Sequence, residues 1–292
     1  MDRAVATGRV GWRSAQGRGT VLTALLRLLQ WSDLLVVLAL MAVPFCWLVL
    51  SSFKSNTDFF ANPFGLPQAW SLDNYITVLS GEPMLLYLLH SAVASFASTA
   101  LAIAATTLAA YALQYRFRPR RGVFLLLSFG LFVPVYALMT PYYFIVNDLG
   151  LFDSVWGLAL VYAGMSAPMS FLIVKTYMDS IPREILEAGR IDGASFHRIF
   201  AGIVLPLSVP GMVTAAIFLM IISWNELLFA VLLTQSDAAR TVQVAIQFFL
   251  AAFHANYPEA FAAMIVAIIP TIVAYVLMSK RIVAGLTTGA VK

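Results

Sequence analysis

Six runs of apolar residues, separated by polar stretches, pattern the chain: near Leu34 to Phe53, Leu85 to Leu113, Val123 to Phe144, Val155 to Val174, Leu207 to Leu233 and Ala260 to Ser279. A helix needs about 20 residues, at 1.5 Å each, to cross the hydrocarbon core of a bilayer. The strands of a membrane barrel would instead alternate apolar and polar positions over short segments. These runs are continuously apolar, so helices, which satisfy their own backbone in lipid, are predicted. The expected fold is an all-α integral membrane protein of about six transmembrane helices: a tail over 1–33, a membrane domain over 34–280 and a second tail over 281–292.

Charge then gives the runs a direction. The first tail holds Arg3, Arg9, Arg13, Arg18 and Arg27. The second connection holds Arg116, Arg118, Arg120 and Arg121, the fourth Lys175, Arg183, Arg190 and Arg198, and the C-terminus Lys280, Arg281 and Lys292. All fall on one side, and the other side has only Lys54 and Arg240 among its basic residues, beside Asp58, Asp73, Glu82, Asp148, Asp153, Asp237 and Glu259. Lys and Arg favour cytoplasmic loops, so both termini are expected in the cytoplasm. No small-residue cleavage site follows the first run, which reads as an uncleaved span rather than a signal peptide.

Composition agrees and excludes several functions. The chain is 61% apolar and 11% charged, against about a quarter charged for a soluble domain. The net charge of +4 is explained by topology, which removes nucleic acid as a partner. Cys46 is the only cysteine, so neither a disulfide framework nor a cysteine metal cluster is expected. His90, His197 and His254 lack ligand spacing, and no metal site is expected. None of the four lysines follows a glycine, so the phosphate cradle G-x-x-x-x-G-K-[ST] is missing and no catalytic constellation is assigned. No ionisable residue sits well inside a run, which argues against a proton relay. Sodium coupling through unwound backbone stays open.

Two features bear on packing. The second run is rich in small residues from Ser91 to Ala110, which let helices approach closely in lipid; it is expected at the centre of the bundle. Pro44, Pro134, Pro141, Pro168, Pro210 and Pro270 lie in or near the runs and are expected to kink them.

The connection over 180–206 is too long for a plain turn. Pro182 suits the first turn of a helix, with Glu184 and Glu187 following. Asp192-Gly193 breaks that helix, and Ser195 can cap a second one running toward Pro206. A helix, a sharp turn and a second helix are predicted to project from the basic side.

This stretch resembles the EAA loop of permease subunits of ATP-binding-cassette importers, through Glu187-Ala188-Gly189, Gly193 and Ile203-Val204-Leu205-Pro206. Gly189 departs from the alanine usual there. More widely, Trp70-Ser-Leu-Asp-Asn-Tyr75, Ile181-Pro182, Ile191-Asp-Gly-Ala-Ser195, Trp224-Asn-Glu226 and Arg281-Ile-Val-Ala-Gly-Leu are similar to the maltose-type, sugar-importing branch. The resemblance implies an inner-membrane, multi-pass transport subunit, not an enzyme, that moves a sugar or oligosaccharide by alternating access. It implies a second homologous permease, two nucleotide-binding subunits carrying ATP and Mg, and an extracytoplasmic solute-binding protein as partners. It places a coupling helix in the loop, with Glu187, Ala188, Gly189, Asp192, Gly193 and Ala194 docking on the ATPase. With topology, it also places the binding protein on the connections from Lys54 to Pro83 and from Gln235 to Pro258. The same machine for another solute, such as a polyamine or phosphate, is the nearest alternative; a lone ion-coupled carrier and a membrane scaffold are more distant ones.

A sugar path needs polar groups and aromatic faces along a cavity. Ser223, Trp224, Asn225 and Glu226 at the outer end of the fifth run are the candidates. Trp224 fits an interfacial anchor equally well, and Glu226 a solvated end charge.

Overall fold

The computed structural model describes residues 15–81, 83–115, 118–251 and 256–290. The expectations resting on Arg3, Arg9, Arg13, Glu82, Arg116, His254 and Lys292 lie outside them. Among the described residues every regular element is helical. In chain order they are α1 (Ala15–Ser52), α2 (Asn56–Ala61), α3 (Asp73–Ser80), α4 (Met84–Ala112), α5 (Arg120–Phe129), α6 (Met139–Asp148), α7 (Val155–Asp179), α8 (Arg183–Ile191), α9 (Phe196–Ile199), α10 (Leu205–Trp224), α11 (Leu228–Leu233), α12 (Val242–Ala251) and α13 (Tyr257–Ala290). Helix thus begins at Ala15, inside the segment expected as a tail, and α13 continues past 281.

Among the described residues five helices are long and apolar enough to cross a membrane, or six where a bent pair is counted as one span. That pair corrects the third expected span. Arg120–Phe132 and Val135–Asp148 meet at 100°, because Val133 and Pro134 are both extended. A residue before proline is pushed out of the helical region, and the proline offers no N–H to carry the helix on. The fifth span is corrected too: α10 stops at Trp224 rather than Leu233, and α11 is a separate helix.

α4, α7 and α10 form the centre. Ala94, Ser98, Ala102, Thr106 and Ala110 recur every fourth residue along α4 and all are buried, so one small face lies against the neighbours. Its hydroxyls are used across the seam: Ser98 Oγ donates to Ser223 Oγ at 3.1 Å, and Thr106 Oγ1 lies 2.8 Å from Ser170 Oγ. In lipid such close packing and interhelical hydrogen bonding replace the water exclusion that holds soluble cores together. α1 stays outside this centre, packed mainly along α13, and its apolar side chains, such as Leu38, Leu40 and Met41, are exposed. A helix that is apolar and exposed on all sides is at rest only in hydrocarbon.

Away from α8 and α9, at the opposite end of the bundle, one carboxylate ties two connections together. Asp153 has a left-handed backbone, φ 54°. Its N–H donates to Leu233 O at 2.9 Å, and its Oδ1 accepts from the N–H groups of Gln235 at 2.8 Å and Ser236 at 3.0 Å. Burial pushes this carboxyl up, but hydrogen bonds from Ser236 and Gln235 and the charge of Arg240 outweigh it and hold the carboxyl below its ordinary value of 3.8. A depressed carboxylate contributes stability that is fully present above the ordinary value and is lost as pH falls through the lower folded value. Acidification below pH 3.8 is therefore expected to loosen the junction of 149–154 with 234–240, read as faster proteolysis there. Asp153→Asn should cleave faster already at neutral pH and change less on acidification.

Candidate functional site

The connection after α7 builds the predicted helix, turn and helix. Pro182 is the N-cap of α8. α8 ends in a Schellman turn: Gly193 N–H donates to Arg190 O and Ala194 N–H to Gly189 O, both at 3.0 Å. That closure requires a left-handed residue at the position Gly193 occupies with φ 77°, which glycine reaches without a Cβ penalty. Ser195 caps α9, its side chain accepting from Arg198 N–H at 3.4 Å. α9 runs into α10 through a π turn, Phe200–Val204. Pro206 explains the wide turn, since it lacks the N–H an α turn would need and crowds the carbonyl one turn earlier.

The loop is braced against the bundle by aromatic side chains. Tyr111, in the last turn of α4, and Tyr115, three residues beyond it, contact the Phe196 ring at 4.6 and 4.8 Å between centroids. Tyr111 OH donates to Phe196 O at 2.8 Å, and Arg190 lies 4.9 Å from the Tyr115 ring centre. Beneath them Leu186, Ile199 and Val204 join Phe171, Val174 and Met178 of α7 and Ala215 of α10 in one buried cluster. The loop is thus packed directly on the three central helices, with no slack segment between Ile199 and the bundle.

The six loop candidates divide by exposure. Glu187, Ala188, Asp192 and Gly193 are exposed, Ala194 is half-buried, and Gly189 is buried. A Cβ on Gly193 would meet nothing within 4 Å, whereas one on Gly189 would stand 2.9 Å from Ile203 Cδ1. Gly189 thus faces the bundle and sits apart from the exposed surface. Ile191, unremarked in the sequence beyond its motif, is 86% exposed at the tip of the turn. Gly189→Ala is expected to stiffen α8 by about 1 kcal/mol while Ile203 rotates its terminal methyl aside. Uptake should stay within about twofold of wild type, and the loop should resist limited proteolysis longer.

The four outer candidates are mostly internal. Ser223 is bonded to Ser98. Trp224 is buried and its Nε1 donates to Ala267 O at 3.2 Å, so it is no interfacial anchor. Glu226 is 4% exposed, no solvated end charge: its carboxylate accepts from Phe229 N–H at 3.0 Å and Ala230 N–H at 3.1 Å. It sequesters the free N–H groups that start α11, which is why the fifth span stops where it does. Only Asn225 is exposed, its Nδ2 donating to Ile221 O. At the same end of the bundle Lys54 is buried, donating to Asn62 O at 2.7 Å. It borders a polar cavity of about 640 Å³ that Asp58, Gln68, Asp73 and Asn74 also line.

Residues 102–286 match the family described as "Binding-protein-dependent transport system inner membrane component". The chain is 34% identical over 255 residues to the trehalose transport system permease protein SugB of Mycobacterium tuberculosis, covering 86% of this chain and 92% of that one. It is 33% identical over 251 residues to the sulfoquinovosyl glycerol transport system permease protein SmoH of Agrobacterium fabrum, with 85% and 88% covered. Against the trehalose/maltose transport system permease protein MalG of Thermococcus litoralis, it is 32% identical over 257 residues, with 85% and 91% covered. In the structure of a bacterial transporter that imports the acidic polysaccharide alginate, one chain superposes with a TM-score of 0.75 at 22% identity, covering 94% of this chain and 99% of that one. The last match speaks for the fold alone.

Proposed function

The chain belongs to the family of binding-protein-dependent transport system inner membrane components, and from that membership we propose that it is one of two permease subunits of an importer for a glycoside or oligosaccharide. As a member it is a multi-pass inner-membrane transport subunit, not an enzyme. The proposal adds the substrate class, the partners and the residues that meet them. Three relatives at about one-third identity carry trehalose, maltose or sulfoquinovosyl glycerol in their names, and each of these holds a sugar in glycosidic linkage.

The observation that carries the mechanism is the braced turn. α8 presents Glu187, Ala188, Ile191, Asp192 and Gly193 outward from the membrane end where Arg118, Arg120 and Arg121 also lie. By the positive-inside rule that end is cytoplasmic. A nucleotide-binding subunit holding ATP and Mg closes on its twin, carries the turn with it, and the aromatic brace passes the movement to α4, α7 and α10. Alternating access then needs no ionisable group at the membrane centre. At the opposite end the polar cavity beside Lys54 and the connection after Gln235 offer hydrogen-bonding surface to a solute-binding protein. Trp224 and Glu226 support the outer end of the path from behind and do not line it.

Affinity purification of the tagged subunit from its native membrane, with mass spectrometry of the co-purifying chains, tests the assignment. A second permease and a nucleotide-binding ATPase are expected in the eluate. Ligand-loaded binding protein should then stimulate ATP hydrolysis by the assembly in nanodiscs. A subunit that arrives alone and transports alone would sink the reading.

A further inference from the structure

Beside the braced turn, a cavity of about 790 Å³ opens between the ends of α4, α5 and α7. One wall carries Arg118, Arg120 and Arg121; the other carries Lys175 and Asp179. The charges do not cancel. Lys175 is buried and donates to both oxygens of Asp179, and Gln114 donates to the same carboxylate at 2.8 Å, so this acid is occupied. Among the described residues no carboxylate pairs with any of the three arginines.

Their place in the helix makes the excess sharper. Arg120 and Arg121 form the first turn of α5, which has no acidic residue there and no side-chain cap on Pro119. Cations at a helix N-terminus oppose the macrodipole, and the free N–H groups there favour an anion. An anion in the cavity would relieve both costs together.

The cavity also has an apolar side. Phe124 and Leu125 line it one turn after Arg120 and Arg121 and are exposed. Residues four apart share a helix face, so each arginine stands above an apolar side chain on the side of α5 that looks into hydrocarbon. A free inorganic anion would use only the cations. Basic pockets between membrane helices recognise anionic lipid head groups, and here the apolar residues continue from the basic ones in the direction acyl chains take.

We propose that this cavity binds an anionic phospholipid, its phosphate held by Arg118, Arg120 and Arg121 and the upper part of its acyl chains lying on Phe124 and Leu125. The site flanks the loop without belonging to its exposed surface, so the lipid steadies the α4 and α7 ends against which α8 and α9 are braced. The inference depends on the membrane topology and is independent of which solute is carried.

Native mass spectrometry of the intact detergent-purified assembly, titrated with phosphatidylglycerol, phosphatidylcholine or inorganic phosphate, tests it. Phosphatidylglycerol is expected to bind in preference to phosphatidylcholine. The Arg120→Gln/Arg121→Gln variant should bind it about 30-fold more weakly, the change expected for two basic residues at a membrane surface. Arg183→Gln/Arg198→Gln, with two exposed arginines of the loop, should leave it unchanged. Equal binding of the two lipids, or an unaltered affinity in the first variant, would overturn the proposal. Displacement of the lipid by millimolar phosphate would show a free-anion site instead and overturn it equally. Should the variant not assemble, a photoactivatable phosphatidylglycerol on the wild-type assembly decides: labelling is expected on peptides containing 118–125, and labelling confined elsewhere refutes the site.

Discussion

Glu226→Ala is expected to lower the stability of the subunit by about 3 kcal/mol, seen as a fall in the thermal denaturation temperature of the purified assembly and reduced accumulation in the membrane. The carboxylate accepts from two buried N–H groups, and each buried donor left without an acceptor costs about 1–3 kcal/mol. Glu226→Gln keeps one acceptor oxygen in place and should recover most of that loss. The pair also separates structure from transport chemistry. If the carboxylate took part in ion coupling, the glutamine variant would stay stable and lose uptake; as a helix start, it should retain both. A stable but inactive Glu226→Gln would therefore count against the present reading of this residue.

Gly193→Asp is expected to reduce uptake by on the order of tenfold while the subunit remains in the membrane and the ATPase continues to turn over without responding to ligand-loaded binding protein. A tenfold change corresponds to about 1.4 kcal/mol, and two effects contribute. A side chain in the left-handed region costs about 1–2 kcal/mol, less for Asn and Asp, and the new carboxylate sits beside Asp192 on the surface proposed to dock. Gly193→Asn carries the backbone cost without the charge. Near-normal uptake in Asn and loss in Asp would place the effect at the docking surface. Equal loss in both would place it in the Schellman turn, and normal uptake in both would remove the turn from the coupling route.

The loop was legible from sequence because its signals are local. Proline at the start of α8, glycine at its end and a capping serine before α9 each act within a few residues, and no long-range contact overrides them. The spans were legible for the same reason, as apolar length is a local property. What length could not convey was continuity. The third run is unbroken in hydropathy, yet Val133-Pro134 turns it by 100°, and the fifth continues past Trp224 although Glu226 restarts the helix. In both places a single residue's hydrogen bonding, rather than the composition of the window, sets the boundary.

The candidate residues were harder to sort. Gly189 and Gly193 stand four apart in one motif, but one meets Ile203 and the other open space, a difference that depends on how α8 lies on α9 and the π turn after it. Trp224 and Glu226 sit where an anchor and an end charge would sit, and the surrounding helices bury both. Tyr111, in the last turn of α4, and Tyr115, just after it, hold the loop although both lie far from it in sequence, Tyr111 being 85 residues from Phe196. No local pattern marks such a pair.

The peripheral seat of α1 has a consequence in time. Its main packing partner is α13, so α1 leaves the ribosome long before the helix it leans on. α4, α7 and α10 are all synthesised within that interval and can assemble while α1 stands alone in the bilayer, a state its continuously apolar stretch over 34–50 tolerates. Birth order and packing order thus run differently here, and α1 is fixed only once a helix made much later reaches it.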